Sequence, residues 1–330
     1  MNTTRSLLPK YFDILEGQGT AQYLDCKHIP VLFDSSKSIN DLWSIHDKAL
    51  LQMKMHNTPP QQSLLDLKIE LADRLFQTCC FCEHQCRVNR RKKAGSCGVQ
   101  ESRIASEFLH FGEETVLVPS YTVFFSGCTF HCVFCQNWDI SQYNTGMYVE
   151  PSTLANMIER RKTQGAKNVN WVGGDPTPNL PYILQVLKEC EVNIPQVWNS
   201  NMYCSIETMK LLAGIIDVYL TDFKYGNDEC AKRLSKVDNY MKIVKRNHKI
   251  AHEAGEVIIR HLVLPNHIDC CSKPIIKWIA KNLPNATVNI MAQYRPEYKA
   301  YEYKDISRPA LPEEVLQVKE YADKLGIHEI

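Results

Sequence analysis

Long apolar runs are missing from this chain. Nowhere in its 330 residues does a stretch approach the ~20 apolar residues that a membrane-spanning helix needs, so no membrane is expected among its partners. The start, Met1-Asn2-Thr3-Thr4-Arg5, lacks the apolar core of a secretory signal. An excess of charge of one sign is missing too. Lys and Arg number 38 against 37 Asp and Glu, a net charge of +1, which leaves no global field to recruit nucleic acid. Without an export signal the expected compartment is the cytoplasm, where thiols stay reduced and clustered cysteines read as metal ligands rather than disulfides.

Cysteine is what the chain has in quantity, 14 in all. Cys128, Cys132 and Cys135 stand in the run Cys-Thr-Phe-His-Cys-Val-Phe-Cys. Three thiolates on one loop can hold three corners of a cubane iron–sulfur cluster, which normally takes four. No fourth cysteine follows at short range, so one iron would keep an open position, the mark of a reactive rather than a structural metal site. A zinc knuckle or buried free thiols is the alternative. Order along the chain favours the cluster. The apolar run ending at Val123-Phe124-Phe125, bounded by Ser126-Gly127, reads as a buried strand feeding the cysteine loop. Parallel α/β folds place their chemistry at such strand ends.

From Val116 onward short apolar runs alternate with amphipathic helical patterns, which predicts α/β architecture with βα units around a parallel sheet. Six strands are expected: Thr122–Ser126, Val169–Val172, Gln196–Asn199, Val218–Thr221, Val257–Val263 and Thr287–Met291. Helices are expected over Thr153–Thr163, from Pro181, before Gly214, before Asn282 and from Pro312. Upstream, Leu64 to Phe76 reads as a helix behind the breaker Pro59-Pro60. The organisation expected is a helical extension over 1–77, a cysteine-rich segment over 78–115 and a catalytic domain over 116–330. The first 58 residues show no motif.

That cysteine-rich segment places Cys79, Cys82, Cys86 and Cys97 at x2, x3 and x10 spacing. Four thiolates close a site completely, as zinc or as a second 4Fe-4S cluster, and thiolate count does not choose between them. Arg87, Arg90, Arg91, Lys92 and Lys93 lie inside this segment and read as a solvated charge run or a docking patch for an acidic partner or electron donor. Cys190, Cys204, Cys230 and the pair Cys270-Cys271 match no ligand spacing and read as buried thiols.

Cys-x3-Cys-x-aromatic-Cys resembles the signature of radical S-adenosylmethionine enzymes, and the resemblance covers roughly Cys79 to Gly326. It implies a partial (β/α)6 TIM-type barrel. It also implies a 4Fe-4S cluster on Cys128, Cys132 and Cys135, and reductive cleavage of S-adenosylmethionine to a 5′-deoxyadenosyl radical that abstracts a substrate hydrogen. Phe134 would pack beside the adenine. Gly173-Gly174-Asp175-Pro176 stands where the superfamily carries Gly-Gly-Glu, whose backbone holds the cofactor's amino group. Cys135-Gln136-Asn137-Trp138-Asp139 and Asp222-Phe223-Lys224 are similar to motifs of pyruvate formate-lyase activating enzyme-like proteins, which install glycyl radicals, and Asn137, Asp222 and Lys224 become cofactor-facing candidates. Asn199 and Asn201, polar at a strand end, suit a ribose or carboxylate. Arg260, among apolar neighbours, needs a partner; the cofactor's carboxylate and Asp222 are the two candidates. His261 should face the other way and pack.

One departure from the activating enzymes stands out. About forty residues separate Cys135 from Gly173, with no room for a ferredoxin-like insert. The leading expectation is hydrogen abstraction from a peptide or protein substrate, most specifically a glycyl-radical enzyme, with a low-potential donor such as ferredoxin or flavodoxin. Modification of a small molecule or ribosomal peptide is the enzymatic alternative, and a non-catalytic iron–sulfur electron carrier the other.

Overall fold

A computed structural model describes residues 2–52, 58 and 60–330; Pro59, half of the expected breaker, lies outside them. Eight strands form one sheet in the order of the chain: β1 Ile104–His110, β2 Ser120–Phe125, β3 Asn168–Gly173, β4 Gln196–Ser200, β5 Val218–Asp222, β6 Glu256–Leu262, β7 Thr287–Met291 and β8 His328–Glu329. β1 runs antiparallel to β2, and every later neighbour pair is parallel. The sheet stays open, with β1 and β8 as its edges. It is a partial TIM-type barrel whose core strands β2–β7 are the six expected from the sequence.

Two strands were not expected. β1 mixes polar and apolar residues (Ile-Ala-Ser-Glu-Phe-Leu-His) and is only half buried, as an antiparallel edge strand is. β8 has two residues, too short to leave a periodic signal. Both extend the sheet beyond the βα repeat.

Alternation along the strands sorts side chains onto two faces. Tyr121, Val123, Phe125, Val169, Trp171, Trp198, Tyr219 and Ile259 pack outward against the helices in the main core. Val197, Val218, Leu220 and Ile258 face inward and close on Leu8, Tyr11, Val116 and Leu117 in a second, smaller core. The N-terminal segment, which carries no motif, thus plugs the end of the barrel where the strands begin. Its backbone is fixed there by carboxylates: Glu256 accepts from the amides of Lys10 and Tyr11 at 2.8 and 2.9 Å, and Asp217 accepts from that of Gln22 at 2.9 Å.

The helix Leu64–Gln77 opens with a capping box, Ser63 and Asp66 exchanging backbone bonds. It buries Lys68 completely. The Lys68 ammonium donates to the carbonyls of Lys210, Leu211 and Ala213 at 2.9–3.2 Å, the C-terminal end of the helix Ile206–Leu212. A cation at the negative end of a helix dipole ties the N-terminal helices to the barrel. Its fourth neighbour is the His46 Nε2, 2.9 Å away.

Candidate active site

The inward residues at the C-terminal ends of the strands surround a cavity of about 380 Å³. Cys128, Cys132 and Cys135 line one wall, with Phe134 and Asn137. Gly173 and Gly174 form the next, and Asn199, Asn201, Asp222, Lys224 and Arg260 the floor and far side. The C-terminal ends of the six strands β2–β7 converge here, so that residues as far apart in sequence as His110 and Gln293 meet in one place.

The cysteine loop hangs on its neighbours by backbone bonds. The amides of His131 and Val133 donate to the carbonyls of Ser235 and Leu234 at 3.1 and 2.9 Å. Each sulfur has a polar neighbour: the Phe130 amide donates to Cys128 Sγ at 3.3 Å, Ser235 Oγ lies 2.9 Å from Cys132 Sγ, and Ser141 Oγ 3.1 Å from Cys135 Sγ. Burial pushes all three thiols up, Cys132 to about 12; at Cys128 the Asp175 carboxylate and the sulfurs of Cys132 and Cys135 add to it, and at Cys132 the sulfur of Cys135 does. Three thiolates therefore form here only with a compensating positive charge, such as iron supplies.

Gly173 and Gly174 are sterically obligatory. A Cβ on Gly173, at φ +114°, would sit 2.1 Å from the Phe125 amide nitrogen, and one on Gly174 2.1 Å from the Gly127 carbonyl oxygen. The turn is pressed against the root of the cysteine loop, and only bare backbone fits. Asp175 is not on the cavity wall. Its buried carboxylate accepts from Thr129, Ser200 and Thr177 hydroxyls at 2.6, 3.0 and 3.3 Å, and burial raises its pKa to about 6. It braces the cysteine loop against β4, so the candidate cofactor role is left to the backbone of the turn.

Of its two candidate partners Arg260 takes Asp222, and it joins two further residues as a hub. Its guanidinium donates to Asp222 at 3.0 Å, to Asn199, and to Glu113 at 3.4 Å. Asp222 also accepts from Lys224. Burial alone would raise the Asp222 carboxyl; the Arg260 and Lys224 cations outweigh it and hold it below the usual range. His261 faces outward and is buried between the Phe223 carbonyl and Ser272 Oγ, a packing residue.

Glu113 and Glu114 escaped the sequence reading. They sit in the loop between β1 and β2, which turns into the barrel lumen. Glu113 accepts from Asn170 at 3.2 Å, and burial raises its pKa. Glu114 accepts from Asn289 at 2.9 Å while its other oxygen is buried without a partner. The adjacent pair of acids before Thr115 was the available signal, but nothing local says the loop folds inward.

The second cysteine group lies alongside the first. His84 Nε2 is 2.7 Å from the Thr129 carbonyl and His131 Nε2 is 3.1 Å from that of Ser96. Cys79, Cys82 and Cys97 are buried and Cys86 partly so. The neighbouring charge run is not uniformly solvated. Arg87, Arg91, Lys92 and Lys93 are exposed, but Arg90 is fully buried. It donates to the carbonyls of Val99 and Pro178 at 2.8 and 2.7 Å and stacks 4.7 Å over Phe76. Burial raises the Cys79 and Cys97 thiols, and the Arg90 cation opposes it. Arg90 is a counter-charge for this group.

A family model described as the radical SAM superfamily matches residues 122–279, which span the cysteine loop, the glycine turn and Arg260. An uncharacterized protein of Methanocaldococcus jannaschii is 49% identical over 333 residues, 97% of this chain and 98% of its own. This chain belongs to the radical SAM superfamily. Superfamily members are enzymes that carry a 4Fe-4S cluster and bind S-adenosylmethionine, and the thiol trio fits that group. A second M. jannaschii protein, also uncharacterized, is 26% identical over 67% of this chain and 63% of its own length. Among solved structures, methylornithine synthase aligns with 97% of the chain and 77% of its own at 14% identity, TM-score 0.47. Streptococcus suis SuiB bound to precursor peptide SuiA aligns with 62% of the chain and 46% of its own at 16% identity, TM-score 0.45. A domain of pyruvate-formate lyase-activating enzyme from Bacteroides vulgatus aligns with 50% of the chain and 98% of its own at 17% identity, TM-score 0.40. No helix among the described residues is long and apolar enough to cross a membrane.

Proposed function

We propose that the protein is a cytoplasmic radical S-adenosylmethionine enzyme that removes a hydrogen atom from a peptide or protein substrate, in its most specific form a glycyl-radical enzyme awaiting activation. The observation that carries the reading is the convergence of the three loop cysteines, the Gly173-Gly174 turn and the Arg260 hub on one cavity. When bound, the cluster and S-adenosylmethionine supply one-electron chemistry and the hydrogen-abstracting group. Cys128, Cys132 and Cys135 hold the cluster. The backbone of Gly173 and Gly174 receives the cofactor's amino group, and Arg260 with Lys224 faces its carboxylate. Asn199, Asn201 and Asp222 offer hydrogen bonds to the ribose. Phe134, packed against Tyr225 and Tyr294, gives the adenine an apolar wall, and Asn137 lies at the entrance.

A polypeptide substrate is supported by the cavity's rim. Trp138, stacked on Tyr298 at 5.6 Å, and Tyr143 are exposed beside the cysteine loop, where they could flank an inserted chain. A small polar substrate is the second reading, favoured by the unpartnered Glu114 oxygen in the lumen, which would accept from an amine or hydroxyl. The second cysteine group, one loop away, supports a relay for electrons from ferredoxin or flavodoxin. A pure electron carrier fits less well, because no fourth cysteine lines the cavity.

Anaerobic reconstitution followed by detection of 5′-deoxyadenosine tests the reading. The wild-type chain is expected to form it under low-potential reductant, and Cys132→Ala is expected to fall to background. Full activity of Cys132→Ala would refute the assignment.

A further inference from the structure

Cys230, Cys270 and Cys271 are brought together by two different βα loops. Cys230 lies in the first turn of the helix Asp228–Ser235, after β5. Cys270 and Cys271 lie in the loop after β6. There the chain makes a wide turn over Ile268–Ser272, with the Ser272 amide donating to the His267 carbonyl at 3.1 Å. Turns of this width cost hydrogen-bond geometry and concentrate at functional sites. The two loops touch at Gly226, where a Cβ would stand 2.6 Å from the Cys270 carbonyl oxygen and from the Cys271 Cα.

All three sulfurs lie within 4.8 Å of one another, and those of Cys270 and Cys271 are 3.9 Å apart. That matches the ~3.8 Å edge of a tetrahedral zinc–thiolate site. Asn227 supplies outer support of the kind metal–thiolate sites use. Its Nδ2 donates to Cys230 Sγ at 3.3 Å and to the Cys270 carbonyl at 2.9 Å, and reaches Cys271 Sγ at 3.9 Å. Its Oδ1 meanwhile caps the helix through the Cys230 amide at 2.8 Å.

We infer that Cys230, Cys270 and Cys271 form a mononuclear thiolate site for a soft divalent cation, zinc in the cell. Exposed Cys270 leaves the fourth position to water or an added ligand. The site is separate from both cysteine groups described above. It clamps the helix whose far end, at Leu234 and Ser235, carries the cluster loop.

The test uses the full chain with its iron sites already filled, so that only this trio is free to take added metal. Titration with Co²⁺ should give a sulfur-to-cobalt charge-transfer band saturating at about one ion per chain. Cys230→Ser and Cys270→Ser should each abolish the band without changing the iron content. Cys270 is exposed, so its variant carries little risk to folding. Asn227→Asp, which keeps the helix cap but removes the donor to sulfur, should weaken cobalt binding by about 10–100-fold. The inference is overturned by a wild-type chain that gives no band, by a band that survives in both cysteine variants, or by a disulfide between any two of the three in anaerobically prepared protein.

Discussion

A single added methyl group at residue 174 would meet the Gly127 carbonyl oxygen at 2.1 Å, with rigid backbone on both sides. Gly174→Ala is therefore expected to force the turn away from the cysteine loop, costing about 1–3 kcal/mol of stability. S-adenosylmethionine binding should weaken along with it; urea denaturation and calorimetric titration of the cofactor check the two effects. Removing the Arg260 guanidinium leaves Asp222 and Glu113 as buried carboxylates without their cation. Arg260→Met should lose about 3–5 kcal/mol, again measurable by denaturation. At this scale the sequence is informative where a site is local. Cys128, Cys132 and Cys135 share one loop, and their spacing states their purpose. Arg90 hides in a run of like charges, because nothing in such a run marks the one guanidinium that turns inward onto Phe76. Glu113 enters the cavity by a loop path, and Cys230 meets Cys271 only because two βα units are neighbours. Those encounters are properties of the assembled barrel.

Among the elements, the most exposed to test is the helix Leu64–Gln77 through its buried Lys68. Lys68→Met should strand three helix-terminal carbonyls and cost about 2–4 kcal/mol, with the loss appearing in the urea midpoint. Its neighbour His46 adds a pH signature. Burial and the Lys68 cation hold the His46 imidazole well below its usual value. Below a pH of about 6.5 the unfolded chain takes up a proton there that the folded chain refuses, so stability falls on acidification, by up to about 1.4 kcal/mol per pH unit. His46→Gln should flatten that part of the pH–stability curve relative to wild type. The six central strands and the amphipathic helices were legible because burial imposes period 2 and period 3.6 on them. The helix Asp228–Ser235 was not among those expected. Half of its residues are charged and its inward face is short, so its role as hanger for the cysteine loop shows only in three dimensions.

For the whole molecule, an open sheet needs something to close its lumen, and two segments without sequence motifs do so. Leu8 and Tyr11 seal the strand-start end, and the loop carrying Glu113 and Glu114 fills the interior above it. Deleting residues 1–20 should expose the inner faces of Val197, Val218 and Ile258 and yield an aggregating barrel, readable by size-exclusion chromatography. Metal content is also a whole-chain property: about eight irons per reconstituted chain would mean that Cys79, Cys82, Cys86 and Cys97 hold a second cubane, and about four with one zinc that they close a zinc site. The central claim is an iron left free for S-adenosylmethionine, and electron paramagnetic resonance of the reduced, reconstituted protein addresses it directly. Adding S-adenosylmethionine should shift the signal of the cluster on Cys128, Cys132 and Cys135. A spectrum unchanged by saturating cofactor, with that iron already bound by a side chain, would contradict the account.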